Sequence, residues 1–79
     1  MKLIDWRKHH QKTLTEAALL IGLSGSNPAR DLQRFETGER RPSAFIVEAI
    51  VAATDGAVSA QDMHECRLSW ERENFEAAQ

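Results

Sequence analysis

The chain has little of what a secreted, membrane-spanning or strand-built protein needs. It holds one cysteine, Cys66, so no disulfide can close within it, which agrees with a reducing compartment. It has no long hydrophobic run: apolar stretches such as residues 17–21 fall far short of the about 20 residues that cross a bilayer. The Met1-Lys2 start lacks the apolar segment of a signal peptide, so the expected location is the cytoplasm, with no membrane partner. β-Branched residues are few, and no extended alternation of apolar and polar residues occurs. There is no Asn-Gly pair, and Asp55-Gly56 follows a helical run, where it reads as a helix stop rather than a hairpin. Repeats, low-complexity tracts and linkers are absent as well.

What remains is a short chain with strong helix punctuation. Seventy-nine residues make one domain, and at this size folding hides only roughly 60% of the chain's surface, so a partner would help stability. The 42% hydrophobic content suffices for one small core and excludes a disordered chain. Net charge is −2, but its distribution is uneven. Residues 1–46 carry eight Lys/Arg against five acids, a net of +3; residues 47–79 carry two against seven, a net of −5. A basic front and an acidic back can still offer one face to phosphate.

The pattern predicts five helices and an all-α fold. The first covers about residues 2–11, with Leu3, Trp6 and His10 on one face. Thr13 followed by Glu16 is a capping box opening a second helix from Leu14 to about Ile21, with Ala17, Ala18 and Ile21 inward and Gly22 as its stop. Asn27-Pro28 pairs a favoured N-cap with a favoured first helical residue, so a third helix should run from Pro28 to about Thr37 and stop at Gly38. Its Leu32 and Phe35 face the core. Pro42-Ser43 opens a fourth helix to Ala53, with Ile46, Ala49, Ile50 and Ala53 as its apolar stripe and Gly56 closing it. Ser59 with Asp62 caps a fifth, in which Met63, Cys66 and Trp70 share a face; beyond Glu73 the chain is expected to fray, with Phe75 free to dock.

Two short helices joined by a glycine-containing connection, the second burying Leu and Phe while exposing Arg and Gln, are what reading duplex DNA requires. The major groove admits one helix, and a second helix must lie across its back to orient it. The runs Thr13-Leu14-Thr15-Glu16-Ala17-Ala18-Leu19-Leu20-Ile21-Gly22-Leu23-Ser24 and Leu32-Gln33-Arg34-Phe35-Glu36-Thr37-Gly38-Glu39-Arg40-Arg41-Pro42-Ser43 resemble the Cro/CI-type (XRE) helix-turn-helix family of phage repressors, bacterial regulators and antitoxins. The resemblance covers roughly residues 1–55, and its most specific part is the Phe-Glu-x-Gly-x-x-x-Pro segment. Nine residues separate Gly22 from Leu32, a longer turn than the family pattern, with the extra residues around Gly25, Ser26 and Asn27.

The resemblance implies a compact, lambda-repressor-like DNA-binding domain: a helix-turn-helix core over residues 1–56 and a helical extension of the same domain over residues 57–79. It implies a transcriptional regulator, expected to be a repressor, that binds double-stranded DNA with the helix Pro28–Thr37 in the major groove. By the same resemblance Arg34 reads bases, Arg30 holds the first-turn reading position, and Gln33 is a weaker reader. Asn27 either caps the helix or touches DNA. Arg40 and Arg41 fall in the loop that the family lays along the backbone and are assigned to phosphate. Thr13 and Thr15, at a helix start, offer amides and hydroxyls to phosphate, and Ser26 is assigned there too.

Plainer readings exist for each feature. Arg30 and Arg34, four apart, could form a solvated face. Glu36, an acid on a helix meant for DNA, is expected to pair with an arginine. Trp6 and Trp70 read as core or dimer contacts rather than base-stacking platforms. Adjacent His9 and His10 diverge by about 100° on a helix, and His64-x-Cys66 is not a zinc spacing, so no metal is expected. No cofactor cradle is present, and Ser59, Cys66 and the histidines form no nucleophile–base set, so an enzyme is not expected. The Met63, Cys66 and Trp70 stripe either closes the core or meets a second copy in a homodimer, which would set two recognition helices about 34–36 Å apart. Two other functions stay open: the antitoxin of a toxin–antitoxin pair, with a toxin as protein partner, and a protein-interaction adaptor on a helix-turn-helix scaffold.

Overall fold

The computed structural model describes residues 1–77; Ala78 and Gln79, the end of the expected extension, lie outside that range. Its elements are α1 (Leu3–His9), α2 (Leu14–Ile21), α3 (Pro28–Thr37), α4 (Ala44–Ala53) and α5 (Ala60–Ala77), with no strand among the described residues. None of these helices is long and apolar enough to cross a membrane.

Four of the five helices begin where side chains supply the missing acceptors. Thr13 accepts from the Glu16 amide while the Glu16 carboxylate accepts from the Thr13 amide, at 3.1 and 3.0 Å. Asn27 accepts from the Arg30 amide at 3.1 Å, and Ser43 from the Ile46 amide at 3.3 Å. Ser59 and Asp62 form a second reciprocal box at 3.1 and 2.9 Å. Each such cap is worth about 1 kcal/mol, because it satisfies an amide that the helix itself leaves without a partner.

The helix ends are less uniform. Gly22 ends α2 in the left-handed conformation, with the Leu23 amide reaching back to the Ala18 carbonyl at 3.0 Å. α1 stops at His9 rather than near residue 11, because Gln11 takes the left-handed conformation (φ 54°) and the Lys12 amide turns back to the Arg7 carbonyl at 3.0 Å. A glycine-free stop of this kind leaves no mark in a sequence. It also removes His10 from the predicted inner face: the residue is exposed, its ring lying 4.5 Å from that of Trp6. At the end of α4 the same device falls on Asp55 (φ 54°), and the predicted stop Gly56 follows it in the left-handed conformation too (φ 82°), its amide reaching the Val51 carbonyl at 2.9 Å.

The core forms where the helices cross. Ala17 and Ala18 let α2 approach α3 closely, and Leu32 and Phe35 fill the space between them. α4 contributes Ile50 from its underside and rests on α2 and α5. Two core members carry no helical periodicity: Thr54 and Val58, in the α4–α5 connection, are both buried. The Thr54 hydroxyl donates to the Ile50 carbonyl at 2.9 Å and accepts from the Val58 amide at 3.1 Å, which lets a polar residue sit inside.

α5 turns its stripe toward the core. Met63 is buried, and Cys66 and Trp70 are half-buried against the end of α3, so the stripe closes the core of its own chain. Phe75, expected to be able to dock, is exposed, and the helix continues past Glu73 to Ala77.

Gly38 is where α3 and α5 come closest. Its φ is +88°, and a Cβ there would lie 2.6 Å from the Cys66 carbonyl oxygen and 2.8 Å from the Trp70 Cβ. Gly38→Ala should therefore destabilise by about 2–4 kcal/mol, combining a left-handed penalty with overpacking. Gly22→Ala, with nothing within 4 Å of its added Cβ, should lose only about 1 kcal/mol. Urea midpoints at constant m check the difference. A second expectation concerns acid. The Ser59 amide holds the Asp62 carboxyl down at about 2 from an ordinary 3.8. A lowered folded pKa means the contribution is complete above 3.8 and fades as pH falls through about 2. Asp62→Asn should thus flatten the loss of thermal stability over that acid interval, read from melts at stepped pH.

Candidate nucleic-acid interface

α3 carries three of the four residues assigned to base reading, and its wheel sorts its side chains. Leu32, Phe35 and Glu36 are buried; Arg30, Gln33 and Thr37 are exposed; Arg34, beside Phe35, is half-buried. Arg30, Gln33 and Arg34 line one shallow surface groove together with Thr37 and Glu39. The last two were not singled out, although both flank Gly38 in the segment carrying the resemblance. The Thr37 hydroxyl donates to the Arg34 carbonyl at 3.1 Å and accepts from the Glu39 amide at 3.3 Å, fixing the turn that brings Glu39 back toward Arg34. The Glu39 carboxylate then stands 3.9 Å from the Arg34 Nε.

The residues around this groove divide. Asn27 is exposed, but its side-chain oxygen is committed to the Arg30 amide, so its first role is the cap. Ser26 and Thr15 are exposed, and their side chains make no hydrogen bond among the described residues. Thr13 is also exposed, yet its amide and hydroxyl both belong to the box with Glu16, and the Thr13 amide holds that carboxyl below its ordinary range. Arg40 turns back to Asp31 of α3 at 3.4 Å. Arg41 goes elsewhere: it lines a cleft between α4 and α5 with Val47, Met63 and Arg67. The two loop arginines, adjacent in sequence, therefore have different neighbours: Asp31 for Arg40 and the α4–α5 cleft for Arg41.

Two contacts set how α3 is held. Arg7 of α1 donates from Nε and Nη2 to the two Glu36 carboxylate oxygens at 2.6 and 3.1 Å, and from Nη1 to the Lys12 carbonyl at 3.1 Å. The Glu36 side chain is 2% exposed and that of Arg7 15%, so the pair is shielded from water. Its hydrogen bonds to Glu36 push the Arg7 guanidinium further above its ordinary pKa. From the other side, Arg67 of α5 donates to the carbonyls of Gly38 and Glu39 at 2.9 and 2.8 Å, while its guanidinium lies 4.7 Å from the centre of the Trp70 ring. The Cys66 thiol points at the Glu36 carbonyl at 3.2 Å, and burial pushes its pKa up.

His9 and His10 stand edge to face at 5.3 Å between ring centres. Among the described residues, no group of three or more His, Cys, Asp or Glu is arranged to hold a metal ion. Compared with family models, with curated proteins and with solved structures, the chain shows no match in any of the three.

Removing one side of the shielded pair should matter more than removing both. Glu36→Ala leaves the Arg7 charge without its partner and should lose about 3–5 kcal/mol. Arg7→Met combined with Glu36→Leu should recover much of that loss, as denaturant melts of the two variants would show.

Proposed function

We propose that this chain is a lambda-repressor-like, Cro/CI-type regulator that binds double-stranded DNA by laying α3 in the major groove. The observation carrying this reading is the grouping of Arg30, Gln33 and Arg34 in one open groove on a helix whose opposite stripe is buried. Supporting it, α2 packs across α3, as a groove-reading helix needs. The ten residues of α3 span about 15 Å, and the major groove is about 12 Å wide. Arg34 is the main base reader. Its stem is steadied beside Phe35, and an arginine fork can take guanine O6 and N7 together. Arg30, one turn earlier, reads a neighbouring base pair, and Glu39 orients Arg34 or accepts from a cytosine amine. The protein acts in the cytoplasm, as a homodimer on a two-fold site, without a cofactor and without catalysis.

The adaptor reading has one observation in its favour: Arg34 and Arg40 each have a carboxylate within 4.0 Å, which lowers the positive field of the face. Salt separates the two. Duplex DNA retained at low ionic strength and released by added salt supports DNA binding; no such retention supports the adaptor.

Selection from random duplexes should return a defined site. On that site Arg34→Ala should cost about 1–3 kcal/mol and relax the choice of base at one position. Equal weakening on selected and random duplexes would make Arg34 a phosphate contact and overturn this docking.

A further inference from the structure

One strongly charged patch stands outside the docking described above: the corner between α1 and α2. Residues 7–12 hold Arg7, Lys8, His9, His10 and Lys12 with no acid among them. Arg7 is neutralised by Glu36. Lys8 and Lys12 make no ion pair among the described residues; of the flanking acids, Asp5 pairs with neither, and Glu16 turns its carboxylate to the Thr13 amide at 3.0 Å, near enough for the Lys12 charge to favour its ionised form.

Of the five other cations of the basic front, two have a carboxylate within 4.0 Å and three make no ion pair among the described residues. Arg34 stands near Glu39 and Arg40 pairs with Asp31. Lys2 lies in a cleft lined by Asp62, Glu65 and Glu73, and Arg41 lines the α4–α5 cleft. Outside those clefts, the cations without an ion pair among the described residues are Arg30 and the two lysines of the α1–α2 corner.

The corner is also held beside α3. A single guanidinium, that of Arg7, binds the Lys12 carbonyl and the Glu36 carboxylate at once, so the Lys12 backbone sits within one guanidinium's breadth of Glu36. Gln33 lies one turn before Glu36 on α3 and is exposed. A duplex whose groove receives Gln33 thus passes its backbone close to the corner. The amides of the first turn of α2 are poorly placed to greet a phosphate, because the Glu16 carboxylate already occupies that end of the helix. The positive charge must come from side chains.

We infer that Lys8 and Lys12, at the α1–α2 corner, clamp the phosphodiester backbone of the bound duplex and supply most of its salt-dependent affinity. The assignment rests on the DNA-binding reading above and names the residues that carry its sequence-independent part. Arg40 and Arg41 contribute less than their place in the chain suggests.

The test uses the full chain and a duplex carrying its selected site, with binding followed by fluorescence anisotropy at stepped salt. Replacing both residues (Lys8→Ala with Lys12→Ala) should reduce the slope of log affinity against log salt by about two, since each neutralised phosphate contributes about 0.9. Affinity should fall alike on selected and random duplexes, with base preference unchanged. Lys8→Arg with Lys12→Arg should keep the parental slope. Lys8→Ala alone, at an exposed position where folding is not at stake, should reduce it by about one. Arg40→Ala should change it by less than that. Folded Lys8→Ala and double-alanine variants that keep the parental slope would overturn the clamp while leaving DNA binding intact. A parent chain with no salt-dependent binding to duplex DNA would overturn both.

Discussion

The arrangement of this small domain depends on one shielded ion pair. Arg7 and Glu36 come from α1 and α3, helices that otherwise share little packing, and the two hydrogen bonds between them fix the distance, twist and register of the helices, while a third ties Arg7 to the Lys12 carbonyl. An arginine suits this place because its planar fork satisfies both carboxylate oxygens and still has a donor for the Lys12 carbonyl. Pairs shielded like this are weak sources of net stability, since desolvation offsets most of the attraction. What the pair does supply is selection among arrangements. Any other docking of α1 would leave two charges out of water without partners.

α3 is consequently gripped by its C-terminal half. Glu36 is held from α1; Gly38 and Glu39 are held from α5 through Arg67; Phe35 sits in the core. α5 is in this sense an inner wall, whose Met63 seals the same core as Leu32 and Ile50. The N-terminal half has much less to hold it. Asn27 and Pro28 give α3 a clean start, but the preceding stretch from Ser24 to Asn27 is exposed throughout, and Gly25 has open space around it.

Much of this was legible in the sequence wherever physics acts locally. Caps announce themselves within three residues, so Thr13, Asn27, Ser43 and Ser59 mark four helix starts correctly. The buried stripe of α3 follows from its period, and the outward grouping of Arg30, Gln33 and Arg34 follows from the stripe. What escaped depends on backbone choices with no residue signature. The stop at Gln11 uses a left-handed residue that need not be glycine, and Thr54 and Val58 reach the core through a turn rather than a helix. The divergence of Arg40 and Arg41 escaped for a related reason. Adjacent loop residues have no period to sort them, and their directions are set by Asp31 on one side and the α4–α5 cleft on the other.

The uneven grip on α3 carries over to information content. A reading head clamped at one end and loosely tethered at the other does not read all letters with equal sharpness. Under the proposed docking, the base facing Arg34 is judged by a side chain rooted beside the buried Phe35, and the base facing Arg30 by an exposed one rooted in the first turn of α3. Each half-site would then be strict at one edge and forgiving at the other. Related operators could differ at the forgiving edge and still be occupied in graded order, so that a single protein ranks several sites without changing its own structure.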